Sequence, residues 1–504
     1  MNDTRNSLLA SSRTRLRTVG LLLSLCTAAL VGPGCMESAP PPHRHSHDHS
    51  TDHEADPSAS LSALAKYVWT PDSNYKWTLR KDATVKAADY TAYFIDMTSL
   101  SWRSAAEVDK TEWRHDLTIV VPSRVLPGPN ILYIGSGSTS SMPPTMPSDT
   151  IVNLARLTGA VTIELKQVPN QPLTFTNHDG KPHTEDGIVA FSWEQAMKTG
   201  DPTWSARFPM VKSSVRAMDT AREFLYSADG GSRPLDNFIV MGASKRGWTA
   251  WLTAAVDPRV VGVVPIVIDV LNVNKFMTQH IETYGFWAIS LYDYYYNNIT
   301  KRIGSKEMDT LLKNEDPYYF RDSLTMPKYM VNATNDQFFL PDGSQNYLGD
   351  LKGEKYLRYV PNADHSLRGS DWLEGIAAHV ASLRRGTPRP QFSWTFEGED
   401  TIKVATQQPV QKALLWQATN PTRRDFRLET IGKVWTSTEL MAQSDGSFVG
   451  KVSKPPTGYT AFFIELFYAG DIAVPQKYTT QVRVIPDVRP FAGIDPIKGK
   501  LEGT

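Results

Sequence analysis

Cysteine is nearly absent. The 504-residue chain has two, Cys26 and Cys35, both within the first 35 positions. The remainder can form neither a disulfide nor a cysteine metal site. Charge of one sign is missing as well. Lys plus Arg number 53 and Asp plus Glu number 53, so the formal net charge is zero. No basic field recruits nucleic acid, and none steers the chain to an anionic surface. Beyond the N-terminus no stretch approaches the roughly 18 consecutive apolar residues of a membrane-spanning helix. Internal repeats are also lacking. What is present, 41 % apolar residues with 34 prolines and 13 tryptophans, suits a large, loop-rich globular enzyme of more than one domain.

The N-terminus reads as an export signal over residues 1–35. Arg13, Arg15 and Arg17 form a basic start, and Val19 to Val31 form an apolar run too short to span a bilayer stably. The run ends at Gly32-Pro33-Gly34-Cys35. Small residues before a cysteine resemble a bacterial lipoprotein signal, which would leave Cys35 as the lipidated first residue. Gly32 and Pro33 depart from the usual pattern, so plain secretion and an uncleaved anchor stay open. The expectation is an exported protein, held at a membrane through an N-terminal lipid or secreted. Residues 36–60 follow as a linker, with Pro40, Pro41, Pro42 and the alternating His43, His45, His47, His49 and His53. Its apolar content is too low to repay ordering entropy, so it reads as a polar spacer rather than a metal site.

From 61 to 390 short apolar runs alternate with helical patterns. Thr91–Thr98, Asp116–Val121, Asn130–Ile134, Ala160–Leu165, Asn237–Met241, Val260–Ile268, Lys328–Asn332 and Tyr356–Val360 read as strands. Ser213–Tyr226 reads as a helix. Such alternation implies a mostly parallel α/β sheet covered on both faces. Residues of about 271–326 interrupt it. Their stretch 276–320 carries eleven aromatics, so the insertion reads as a helical cap whose rings form its own core and line a cleft. After Gly386–Pro390 the pattern changes to period two, with about seven short runs, among them Asp425–Leu428, over residues 391–490. That predicts a separate all-β, immunoglobulin-like sandwich, followed by a tail over 491–504.

The chemistry concentrates at Met241-Gly242-Ala243-Ser244-Lys245-Arg246-Gly247-Trp248, between an apolar strand and a helical stretch. A serine nucleophile needs such a tight strand-to-helix turn, flanked by small residues, with the helix N-terminus favouring a developing oxyanion. The usual second glycine stands two residues after the serine. Here that position is Arg246, and glycine comes one later. Of six histidines beyond the linker, His365 alone follows the last strand and precedes a helix, as the base of an α/β-hydrolase should. Asp336, after the strand at 328–332, suits the acid, and Asp269, after the preceding strand, is the alternative. Oxyanion donors are expected at the N–H of Lys245 and in the loop at Gly135 and Ser136. The side chains of Lys245 and Arg246 either add positive charge there or form ion pairs. No metal and no cofactor is called for.

Phe208-Pro209-Met210-Val211-Lys212, Val215–Asp219, Gly242–Trp248, Asn332–Phe338 and Val360–His365 resemble the PhoPQ-activated pathogenicity-related proteins, an α/β-hydrolase family. The resemblance spans roughly residues 60–490 and implies Ser244, Asp336 and His365 as the triad. The turn is also similar to that of glucuronoyl esterases, Gly-Cys-Ser-Arg-x-Gly, which implies that the displaced glycine is compatible with catalysis. The expected function is an exported serine hydrolase acting on a carboxylic ester of a small molecule. A peptidase-like hydrolase acting on a peptide is the close alternative, and a binding or signalling protein on a hydrolase scaffold is the distant one.

Overall fold

A computed structural model describes residues 62–176 and 178–504. Cys35, the signal-like segment and the histidine-rich linker lie outside the described residues. Among those described, no helix is long and apolar enough to cross a membrane.

Eight strands frame the molecule: β1 (Tyr90–Ser101), β2 (Glu112–Pro122), β3 (Asn130–Ile134), β4 (Thr162–Leu165), β5 (Phe238–Ala243), β6 (Val260–Ile266), β7 (Lys328–Ala333) and β8 (Lys355–Val360). Their order across the sheet is β1-β2-β4-β3-β5-β6-β7-β8. Every neighbouring pair from β4 to β8 is parallel, and β2 is antiparallel to both its neighbours. Side chains alternate between faces along a strand, and the cores record it. Ile131, Ile239 and Met241 pack with Leu154, Ile376 and Val380. Their chain neighbours Leu132 and Val240 pack with Val215, Phe224 and Trp251 on the other face. A sheet buried on both sides explains the near-continuous apolar composition of β6.

Register aligns the strand ends that matter. Ile134 pairs with Gly242, Ala243 with Ile266, Ile266 with Val331, and Ala333 with Val360. The loops after β3, β5, β6, β7 and β8 therefore emerge on one edge. Chain order reverses between β3 and β5, the kind of switch point where open α/β sheets bind ligands. The insertion after β6 is helical as expected, with helices at Val273–Tyr284, Tyr292–Tyr296 and Lys306–Glu315.

The C-terminal strands are β9 (Phe392–Glu397), β10 (Thr401–Thr406), β11 (Lys412–Asn420), β12 (Thr436–Glu439), β13 (Phe448–Lys451), β14 (Tyr459–Tyr468), β15 (Gln476–Thr479) and β16 (Arg483–Ile485). Sheet β9-β10-β13 faces the layer containing β11 and β14. The approach is close: a Cβ on Gly450 of β13 would stand 2.9 Å from Leu415 and 3.1 Å from Ile464. Two layers of strands thus match the sandwich pattern, but one layer joins the central sheet. β15 pairs with β8 at Leu357↔Thr479, so the strands run on from β8 through β15, β14, β11 and β12. Asp425–Leu428 is no strand. Asp425 accepts hydrogen bonds from the backbone N–H and Nε of Arg427 and from Thr430 Oγ1, which closes a turn instead. Strands β12 and β15 were not apparent from the pattern.

Candidate active site

β5 ends at Ala243 and the helix Lys245–Val256 starts two positions later. One residue, Ser244, makes the reversal, at φ 57° and ψ −126°. Non-glycine residues enter such territory at a cost of about 1–3 kcal/mol. Neighbours hold it there: the Ser244 N–H donates to the Ile266 carbonyl at 2.8 Å, and its carbonyl accepts from Trp248 N–H at 3.1 Å.

The displaced glycine has a steric cause. A Cβ on Gly242 would meet the Arg246 carbonyl oxygen at 2.7 Å. A Cβ on Gly247 would meet the Gly242 oxygen at 2.7 Å, Ile268 Cγ2 at 2.8 Å and the Ile266 nitrogen at 3.1 Å. Gly242 and Gly247 are thus the contact between strand and helix. Arg246, at the usual glycine position, points away, donating to the Val168 carbonyl at 2.6 Å and to Glu185 at 2.6 Å.

Ser244 lines a pocket roofed by the cap. Trp193, Trp248, Ile268, Phe338 and Phe339 come from the α/β body, and Phe276, Met277, Leu291, Tyr294, Ile299 and Met308 from the insertion. The space, mouth included, is about 570 Å³. Its charged lining is Asp186, Arg207 and Lys245. Arg207 is buried, donates to the Lys245 carbonyl at 2.8 Å, pairs with Glu315 at 3.2 Å and lies 4.4 Å over the Trp248 ring. Glu315 also accepts from Ser205 Oγ at 2.7 Å and from Trp193 Nε1. This buried cluster ties the cap's last long helix to the turn helix.

His365 and Asp336 come together at the same edge. His365 Nδ1 lies 2.8 Å and 3.0 Å from the two oxygens of Asp336. Asp336 Oδ1 also accepts the backbone N–H of Phe338 at 2.8 Å, and Gln337 Oε1 accepts the His365 N–H at 3.1 Å. The Phe338 ring, in the pocket wall, is 4.5 Å from the imidazole. The Ser244 hydroxyl makes no hydrogen bond to His365 or to any other described residue.

Asp269 is placed elsewhere. Its oxygens accept from Tyr347 Oη at 2.5 Å and Tyr359 Oη at 2.7 Å, and burial raises its pKa to about 7. The expected oxyanion donors divide. Lys245 N–H, in the first helical position, meets no acceptor among the described residues. Gly135 N–H is committed to the Leu165 carbonyl at 2.7 Å, because β4 lies beside β3, so its assignment is corrected. The Ser136 N–H carries no such bond and sits one residue further along the edge. Lys245 Nζ pairs with Glu185 at 2.9 Å and Asp186 at 3.1 Å, and Arg246 with Glu185, so the ion-pair reading of both side chains holds. Burial pushes the Glu185 pKa up, but the charges of Lys245 and Arg246 outweigh it and hold it at about 2.

Among the other histidines, His115 bonds Ser99 and the Lys166 carbonyl, His280 accepts from Ala288 N–H, and His379 bonds Tyr478. Those three are buried packing residues. Two supporting residues escaped the sequence reading. Asn335 donates to the Phe426 carbonyl at 2.9 Å and its carbonyl accepts from Leu428 N–H at 3.1 Å. Asn362 exchanges bonds with the backbone of Trp435 at 2.9 and 3.0 Å. The loops bearing Asp336 and His365 therefore lean on the C-terminal region.

A mostly parallel sheet of this order, with a strained serine turn after β5 and a His–Asp pair after β7 and β8, is of the α/β-hydrolase class. The chain belongs to the PhoPQ-activated pathogenicity-related protein family, whose profile matches residues 64–427. It is 36 % identical over 458 residues to autocrine proliferation repressor protein A of Dictyostelium discoideum, covering 85 % of this chain and 91 % of that one. Among solved structures, acetyl xylan esterase 1 from Thermoanaerobacterium sp. aligns with TM-score 0.41 and 13 % identity, over 60 % of this chain and 86 % of that one. A glucuronoyl esterase from Solibacter usitatus aligns with TM-score 0.39 and 12 % identity, over 64 % and 90 %.

Proposed function

We propose that the protein is a serine hydrolase whose nucleophile is Ser244, acting on carboxylic esters with a compact apolar group. The observation that carries the reading is the strained Ser244 turn opening into an apolar pocket beside the His365–Asp336 pair. In this mechanism Ser244 Oγ attacks the acyl carbon while His365 Nε2 takes its proton. Asp336 holds Nδ1–H and stabilises the imidazolium. The Lys245 N–H at the helix N-terminus stabilises the oxyanion, joined by an N–H of the loop at Ser136. His365 then protonates the departing alcohol, and water, deprotonated by His365, releases the acid. The serine–imidazole bond forms when substrate binds, since such contacts tighten in the Michaelis complex.

A second reading, an aminoacyl amide as substrate, draws on Asp186 in the pocket lining. Its carboxylate would meet a substrate ammonium in competition with Lys245. Ester preference is favoured because that carboxylate is already paired.

The test is labelling by a fluorophosphonate probe, with Ser244→Ala and His365→Ala in parallel. Loss of label in both variants supports the mechanism. Label surviving in Ser244→Ala overturns it, and a folded wild type without label redirects the search to ligand binding by the capped pocket.

A further inference from the structure

The acyl-transfer reading leaves one group of donors unused, in the segment before the helix Glu185–Thr199. The short antiparallel pair Leu173–Thr174 and Pro182–His183 folds His183 back towards His178 and Asp179. His183 Nε2 lies 2.9 Å from Asp179 Oδ1, and the two imidazole centroids are 4.9 Å apart. One donor atom from each of the three residues lies within 4.8 Å of the others. Donors about 2.0–2.1 Å from a tetrahedral zinc ion stand roughly 3.4 Å from one another. Small side-chain rotations therefore close this group around an ion.

A second observation lies behind His183. Its Nδ1 is 3.3 Å, and Oδ1 of Asp293 is 3.6 Å, from the point a Cβ on Gly187 would occupy. Asp293 belongs to the short cap helix Tyr292–Tyr296. Its carboxylate makes no hydrogen bond or ion pair among the described residues. A metal-bound imidazole commonly donates its other N–H to a carboxylate, which fixes tautomer and ring orientation. Asp293 is the carboxylate nearest the Nδ1 side of that ring in the Gly187 surroundings.

We propose that His178, Asp179 and His183 bind a borderline divalent cation, zinc foremost, with Asp293 behind His183 and solvent completing the coordination. Two imidazoles and one carboxylate suit zinc, whereas calcium and magnesium favour all-oxygen sets. None of the three ligands lines the Ser244 pocket, so the ion is structural and the proposal is independent of the acyl-transfer mechanism. Its effect is to clamp the segment at 178–183 to the cap, one residue from Tyr294, which donates to Asp186 at 3.0 Å.

The test is calorimetric titration of the metal-free full chain with Zn²⁺ near neutral pH. His43, His45, His47, His49 and His53 are first changed to Ser, because imidazoles there compete for the ion. The expected result is one saturable site, weakened at least tenfold by His183→Ala and by Asp179→Asn. Asp179 is an exposed turn residue, so its variant keeps the fold and circular dichroism verifies it. Asp293→Asn should weaken binding about tenfold through the imidazole alone. Absence of a saturable site, or binding untouched by Asp179→Asn and His183→Ala, overturns the proposal.

Discussion

Asp269 and Asp336 occupy equivalent places in neighbouring parts of one sheet. β6 ends at Ile266 and β7 at Ala333, and each aspartate follows three residues later. Both are almost fully buried, with 1 % and 3 % of their surface exposed. Their company differs. Asp269 faces two phenols, Tyr347 and Tyr359, in a region with no imidazole partner. Asp336 accepts backbone N–H groups from its own loop and meets His365 Nδ1. Burial and strand-end position alone therefore do not make a carboxylate an orienting acid. A phenol network locks a loop, whereas an imidazole bond sets the tautomer of a base.

The largest expected effect separates the two. Asp336→Asn should lower kcat by about 10⁴ with the fold intact, because the amide no longer holds the required imidazole tautomer. Asp269→Asn should leave kcat within about tenfold, since the Asp269 oxygens bond Tyr347 and Tyr359 and not His365. Ester hydrolysis measured on both variants, beside circular dichroism, decides it. Equal losses would erase the distinction, and a reversed order would restore Asp269 as the acid.

Legibility in the sequence followed locality. Ser244, His365 and the strand ladder could be read because a turn, a strand end and an apolar run are local patterns. Local pattern favoured Asp336 over Asp269, but what separates the two was out of its reach, since the tyrosines that occupy Asp269 lie 78 and 90 residues away. Gly135 looked like an oxyanion donor because its flexibility is local, but its N–H is taken by Leu165 once β4 inserts beside β3. Period-two patterning revealed most C-terminal strands, but it pointed to a separate sandwich and not to a layer that continues the central sheet. The pairing of Leu357 with Thr479 is a long-range fact, as are the props that Phe426 and Trp435 give to Asn335 and Asn362.

A smaller effect tests how the Asp269 arm is coupled to Ser244. Gly247 packs on Ile266 and Ile268, the segment leading to Asp269, and Ser244 bonds the Ile266 carbonyl. The Gly247→Ala methyl has no room, and two of the three nearest obstacles are backbone atoms. It should destabilise the fold by about 1–3 kcal/mol, as overpacking does. It should also slow probe labelling of Ser244 more than Asp269→Asn does, because it displaces the turn itself. Urea unfolding and labelling rates measure the two. A neutral Gly247→Ala would mean that strand and helix do not meet as tightly as the glycine contacts require.

The smallest effect is a slope. Burial raises the Asp269 pKa from 3.8 to about 7, with the two tyrosine hydrogen bonds opposing. Between those values the folded chain keeps a proton that the unfolded chain releases. Protons therefore favour the fold: this group's contribution is full below about pH 4 and is lost as pH rises towards 7. Glu185 runs the other way. Burial acts to raise its pKa, but Lys245 and Arg246 hold it at about 2, below its ordinary 4.5. Its contribution is present above about pH 4.5 and is lost as pH falls towards 2. The two windows barely overlap, so thermal unfolding across pH separates them. Asp269→Asn should flatten the decline between pH 4 and 7 and leave the acid limb unchanged, whereas Glu185→Gln should alter only the acid limb. A decline between pH 4 and 7 that persists in Asp269→Asn would assign it to another group and overturn the raised pKa of the phenol-bound aspartate.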